Sequence, residues 1–186
     1  MDLPVAPDLP LQTARLELRA FRADDADALL AFHGDPESVR YVPYGVRDRA
    51  AVVAVLERKV ASTRLHAEGD LVELAVVHDG VLVGDVLLAL RSVRDETLEV
   101  GYIFAPEAGG RGLATETVRA LLDLAFGPLG ARRVVARVDA RNAPSLALLD
   151  RLGLRREAHL VENAWSKGEL TSEIDYGVLA REWRSS

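Results

Sequence analysis

Three glycines fall within four positions of the segment APEAGGRGLATET (residues 105–117), and helix-forming sequence follows at once. Backbone that must approach a ligand closely cannot carry Cβ atoms. Where such backbone enters a helix, it offers unpaired N–H groups and a partial positive charge, a setting suited to phosphate. The segment therefore points to an anionic group, phosphate foremost, against Gly110, Arg111, Gly112 and Leu113, with Arg111 adding a direct charge. A flexible glycine-rich turn without a ligand is the competing reading. Two known ligand loops do not fit. A Walker A loop needs Gly-Lys-Ser/Thr, which is absent. A dinucleotide fingerprint needs a third glycine where this stretch has Thr115, and no acidic ribose partner follows.

The elements around the glycines set their position. TLEVGYIF (97–104) alternates as a strand, with Leu98, Val100, Tyr102 and Phe104 on one face and Glu99, Gly101 and Ile103 on the other. After the glycines, Ala114, Val118, Leu121, Leu122 and Ala125 recur at helical spacing until Gly127-Pro128. RRVVARVDA (132–140) reads as a strand buried on both faces. Strand, loop, helix and strand in that order normally make a right-handed parallel crossover. Asn142 caps a further helix running to Arg151 or Leu152, with Pro144 in its first turn and Gly153 after it. Upstream, RLELRAF (15–21) is a half-buried strand. Asp24 caps a short helix that turns Leu29, Leu30 and Phe32 inward, and residues 48–66 form a helix with Val52, Val55, Leu56 and Val60 on one face. LVELAVVH (71–78) and VLVGDVLLAL (81–90) flank Asp79-Gly80, favoured hairpin chemistry. A last hairpin turns at Ser166-Lys167-Gly168. The fold class is thus α/β: a mixed, mostly antiparallel sheet with one parallel strand pair, flanked by helices.

Length and composition narrow the function classes. The 186 residues fit a single domain, residues 13–186, behind a loose lead-in of residues 1–12. A formal net charge of −6 argues against nucleic acid and mildly for cationic partners. The chain has no cysteine, which excludes disulfides, thiolate metal sites and a cysteine nucleophile. His33, His66, His78 and His159 show no metal-ligand spacing, so no metal is expected. The N-terminus lacks a basic and an apolar region of a signal peptide, and no apolar run has membrane-span length, so no membrane association and a cytoplasmic address are expected.

GGRGLATE resembles the pyrophosphate loop of the GNAT superfamily of acyl-CoA-dependent N-acetyltransferases. Gly112-Leu113-Ala114 match the second half of its Gln/Arg-x-x-Gly-x-Gly/Ala pattern, and Gly109 stands where Gln or Arg is usual. RLELR near the start, EVGY at 99–102, NAPSLALLDRLGL at 142–154 and EIDYGVLAREW at 173–183 follow in the family's order. The combination is similar to the RimJ/RimL-type branch, which acetylates protein N-termini among other amines. The likeness spans residues 13 to 183.

The resemblance implies a fold in which two parallel strands splay and the pantetheine arm of acetyl-CoA lies between them. It implies cofactor contacts from the backbone of Tyr102, Ile103 and Phe104, with an amide near Ile103 aimed at the thioester oxygen. Gly109, Gly110, Arg111, Gly112, Leu113, Ala114 and Thr115 would hold the diphosphate, and Asn142 would touch the pantetheine while also serving as a cap. Ser145 is the implied donor to the departing thiolate, alternatively a first-turn residue bonding locally; the Tyr many relatives use is Leu149 here. Glu99 is the implied base, with Glu73, Asp175 and Tyr176 as weaker candidates, and Pro43-Tyr44-Gly45 would wall the acceptor groove. Trp165 and Trp183 are read as packing residues. The activity implied is acetyl transfer from acetyl-CoA to a primary amine, either a protein N-terminal α-amino group or a small molecule, with a homodimer compatible. The alternative is an acyl-CoA-binding sensor or scaffold of the same fold without turnover.

Overall fold

A computed structural model describes residues 1–183. Eight strands form one sheet in the order β1-β2-β3-β4-β5-β6-β8-β7. They are β1 Leu11–Gln12, β2 Leu16–Ala20, β3 Leu71–His78, β4 Val81–Ser92, β5 Thr97–Phe104, β6 Arg133–Asp139, β7 Arg155–Ser166 and β8 Glu169–Leu179. The helices are α1 Ala26–His33, α2 Arg49–Ala61, α3 Leu113–Phe126, α4 Ala143–Arg151 and the short α5 Ala180–Trp183. All strand pairs are antiparallel except β5 with β6, which the α3 crossover makes parallel. None of the described helices is long and apolar enough to cross a membrane.

One face of the sheet packs against α3 and α4 through Leu98, Val100, Val134, Leu121, Leu122 and Leu149. The other is covered only over its first half, where α1 and α2 bring Leu29, Phe32, Val52 and Leu56 onto Ala75 and Ile103. The turn residues do what their types allow: Asp79 and Gly80 take φ of 50° and 79° to close the β3–β4 hairpin, matching the strand twist. Gly84 marks a close approach, since a Cβ there would lie 2.6 Å from the Phe104 ring. Gly84→Ala should therefore push that ring and lower stability by about 1–3 kcal/mol, read as a lower urea midpoint at unchanged m-value.

Several expectations need correction. Asp24 does not cap α1; Asp25 occupies the turn, accepting from the Arg22 amide at 2.7 Å and from Arg19 at 2.7 and 2.8 Å. β6 is not buried on both faces: Val134, Ala136 and Val138 are buried, while Arg137 is exposed, because no helix among the described residues covers that half of the second face. Helix α2 leaves Val60 41% exposed and buries Lys59 in its place. Trp183 packs on Phe126 and donates to Asp123 at 2.7 Å, whereas Trp165 is 71% exposed.

Candidate active site

The parallel pair β5–β6 is joined only at Thr97, Leu98 and Glu99 against Arg133, Val134 and Val135. Beyond that point the strands continue but no longer pair. Hydrogen bonds alternate along an antiparallel ladder, and Ala105 donates to Val83. With the β4–β5 register, the main chain of Gly101 and Ile103 therefore faces β4. That of Val100, Tyr102 and Phe104 faces the gap. Of the three residues expected to offer backbone near Ile103, Tyr102 and Phe104 present theirs to the gap, while the main chain of Ile103 faces β4 and its side chain faces the cavity.

The glycine segment lies where β5 hands over to α3. Gly110 and Gly112 have φ of 70° and 76°, and Gly112 is the N-cap of α3. The amides of Gly110, Arg111, Gly112 and Leu113 donate to no backbone carbonyl among the described residues. They stand at the positive end of a fourteen-residue helix. Gly109 instead donates to Pro106 at 2.9 Å. The Arg111 side chain turns away, to 2.6 Å from His78 Nε2, and its carbonyl accepts from Arg15 at 2.9 Å. Leu113 is buried in the core, so only its backbone is available. Ala114 packs partly against the same core, and Thr115 receives a 3.3 Å bond from Arg151.

A cavity of about 670 Å³ runs from the gap across the second face of the sheet. On the gap side it touches Tyr102, Ile103, Asn142 and Ser145; Asn142 Oδ1 caps α4 by accepting from the Ser145 amide at 3.2 Å. On the other side lie Pro43, Tyr44, Arg47 and the β7–β8 hairpin, with Trp165 at its rim. Lys167 at the hairpin tip donates to the carbonyls of Val39 and Arg40, tying the two walls together.

The cavity floor is charged. Lys59, 5% exposed, donates to Glu73 and, at 3.0 Å, to Asp85, itself 5% exposed. His33 Nε2 lies 2.9 Å from Asp85, and Arg47 Nη1 lies 2.8 Å from His33 Nδ1. A guanidinium can only donate, so His33 Nδ1 accepts and Nε2 carries the proton; Nε2 lies close to Asp85 without reaching hydrogen-bond geometry. Arg47 also stacks 3.6 Å from the Tyr44 ring centre. Burial, with the charge of Asp85, pushes the Tyr44 phenol far above its ordinary value while Arg47 pulls the other way. Asp85 pairs in register with Ile103, which sets this cluster beside the gap.

Of the base candidates, Glu99 lines the cavity where β5 and β6 part, held by Arg91 at 2.8 and 3.0 Å. Glu73 belongs to the Lys59 cluster. Asp175 pairs with Arg137 at 2.7 Å, and Tyr176 is buried away from the cavity, donating to Asp150 at 3.0 Å. Lys59, Asp85, His33 and Arg47 were not singled out from the sequence. The signal was present in two of them: Lys59 falls at the buried phase set by Val52 and Leu56, and Asp85 interrupts the apolar run of β4.

The GNAT acetyltransferase domain model matches residues 15–155. The chain belongs to the GNAT acetyltransferase family. The uncharacterized N-acetyltransferase p20 of Bacillus licheniformis is 27% identical over 173 residues, 93% of this chain and 97% of its own. YdaF of Bacillus subtilis, whose name proposes a ribosomal N-acetyltransferase, is 29% identical over 120 residues, 64% of this chain and 66% of its own. Among solved structures, a GNAT-family acetyltransferase from Bacillus anthracis superposes with a TM-score of 0.83 at 24% identity, covering 94% of this chain and 100% of its own. A spermidine N-acetyltransferase from Vibrio cholerae, in complex with CoA and spermine, gives 0.79 at 20% identity over 92% and 99%. At those identities the likeness of the two structures is one of fold. The family relation makes this chain an acyltransferase enzyme, built on a mixed α/β sheet with its single parallel pair opened.

Proposed function

We propose that this acetyltransferase carries the acetyl group of acetyl-CoA to a primary amine by direct attack within a ternary complex. The observation that carries this reading is the opening of β5 from β6 after Glu99 and Val135, directly below the unpaired amides that begin α3. The residues fit the coenzyme. Amides 110–113 are suited to its diphosphate, Gly109, Ala114 and Thr115 flank them, and Asn142 and Ser145 face the arm. Free backbone at Tyr102 and Phe104 would pair with the pantetheine like an added strand. A fixed amide there, aimed at the thioester oxygen, stabilises the charge that forms on attack. With no cysteine in the chain, no thioester is made on the enzyme.

Five carboxylates line the cavity, and each has a cationic partner: Glu73 and Asp85 share Lys59, Glu99 has Arg91, Asp139 has Arg141, and Glu173 has Arg137 at 3.8 Å. A site of this kind gives little help to a strongly basic amine. An α-amino group, with a pKa near 8, loses its proton far more readily than a lysine side chain near 10.4. The acceptor is therefore an α-amino group or a small amine of similar basicity, and Glu99 takes its proton through water.

An amine panel with acetyl-CoA, followed by free thiol, tests this. Peptide N-termini and weakly basic amines should turn over faster than lysine side chains at neutral pH. Glu99→Gln should lower kcat/KM about tenfold, below the usual span for a general base because such amines need little help. CoA uptake without any acceptor-dependent thiol would mark a sensor.

A further inference from the structure

On the side of the gap away from the charged floor, the Tyr102 hydroxyl is buried and makes no hydrogen bond among the described residues. A buried hydroxyl without a partner costs free energy, and few native proteins keep one without a use. Tyr102 belongs to the diverging part of β5. Its backbone faces the gap, and its side chain lies with Val100 and Phe104 on the face that α3 and α4 cover. Both Tyr102 and Ser145, in the first turn of α4, line the cavity. Burial pushes the phenol up to about 12, and the Ser145 hydroxyl opposes that rise without reaching hydrogen-bond geometry.

With acetyl-CoA in the gap, the reading on which this inference rests, attack of an amine on the thioester puts negative charge on two atoms, the carbonyl oxygen and then the sulfur. The backbone amides of β5 serve the first. The amine enters from the floor of Glu73 and Asp85, so the sulfur is left toward α4. We propose that the Tyr102 hydroxyl, with Ser145 beside it, donates a hydrogen bond to the departing CoA sulfur. When the tetrahedral intermediate collapses, the C–S bond breaks and its electron pair passes to sulfur. Tyr102 keeps its proton, because a phenol near 12 holds it against a thiol whose ordinary value is about 8.5. The thiolate takes its proton from water, and the proton lost by the amine passes through water to Glu99 and from there to solvent, so the charges balance.

The test titrates the thiol of bound CoA by its thiolate absorbance, taken as the difference from the complex with desulfo-CoA. Hydrogen bonding to a charged form favours it, so Tyr102→Phe should raise the thiol pKa by about one unit. It should also slow kcat about tenfold while leaving the amine KM and the CoA affinity at neutral pH unchanged. Removing an oxygen that has no partner should leave the Tm of the unliganded protein equal or higher. An identical thiol titration in both proteins, with CoA bound in each, overturns the proposal; so does a large fall in Tm, which would mean the hydroxyl serves the fold. Failure of the unaltered protein to bind CoA at all would instead remove the acetyl-CoA reading beneath it.

Discussion

Gly112→Glu should abolish CoA binding, whereas Gly112→Ala should only weaken it. Gly112 holds φ of 76° as the N-cap of α3, and a Cβ there meets nothing closer than Arg15 Nη2 at 3.6 Å. Space is therefore not the obstacle to a side chain. The left-handed backbone costs an ordinary residue roughly 1–2 kcal/mol, a burden alanine, lysine and glutamate share. What glutamate adds is a negative charge at the helix end where the diphosphate is proposed to sit. Two charges about 4 Å apart interact by about 4 kcal/mol at a surface-like dielectric, roughly three orders of magnitude in affinity. The neighbouring Arg15 is already engaged by Glu116 and the Arg111 carbonyl, so it offers the new carboxylate little relief. Gly112→Lys carries the same strain with the opposite sign and should retain affinity close to that of Gly112→Ala. Titration calorimetry with CoA across the three variants separates strain from charge. Affinity for Gly112→Glu within tenfold of Gly112→Ala would remove the diphosphate from this loop.

The parts of this fold legible in the sequence are those governed by local chemistry. Asp79-Gly80 specifies a hairpin because both residues tolerate positive φ, and Asn142 caps α4 because its side chain reaches an amide three residues on. The strand at 97–104 is bounded correctly because β-favouring residues run to Phe104 and Pro106 follows. What escaped is set by partners distant in sequence. Trp165 is exposed because β7 lies at the sheet edge with no helix over it among the described residues, which its own residues do not announce. Arg111 sits in the right loop yet turns to His78, a neighbour thirty-three residues away that the fold brings near. Which of the amides near Ile103 faces the gap was not legible, because the direction of a strand amide depends on the register with β4.

The Lys59 cluster belongs to that second class and carries the other large effect. Lys59→Met should lower stability by about 3–5 kcal/mol, since removing one member of a buried ion group leaves the others uncompensated. Here the remainder would be two buried carboxylates, Glu73 and Asp85, with the imidazole of His33 beside Asp85. In a chain of this size each kcal/mol moves Tm by about 2–4 °C, so a fall of roughly 6–20 °C is expected. Adding Glu73→Gln and Asp85→Asn to Lys59→Met removes the stranded charge and should recover most of the loss. Calorimetric melting of the three proteins decides whether burial of charge, not the lysine's methylenes, sets the penalty. A fall below about 3 °C for the single variant would mean that water already reaches the cluster. Because Asp85 pairs across the ladder with Ile103, the recovered triple variant should still raise the amine KM while binding CoA as before. That outcome would show why charge is kept at this depth: an apolar floor would hold the sheet equally well, but the cavity beside the gap would lose the groups that orient an incoming amine.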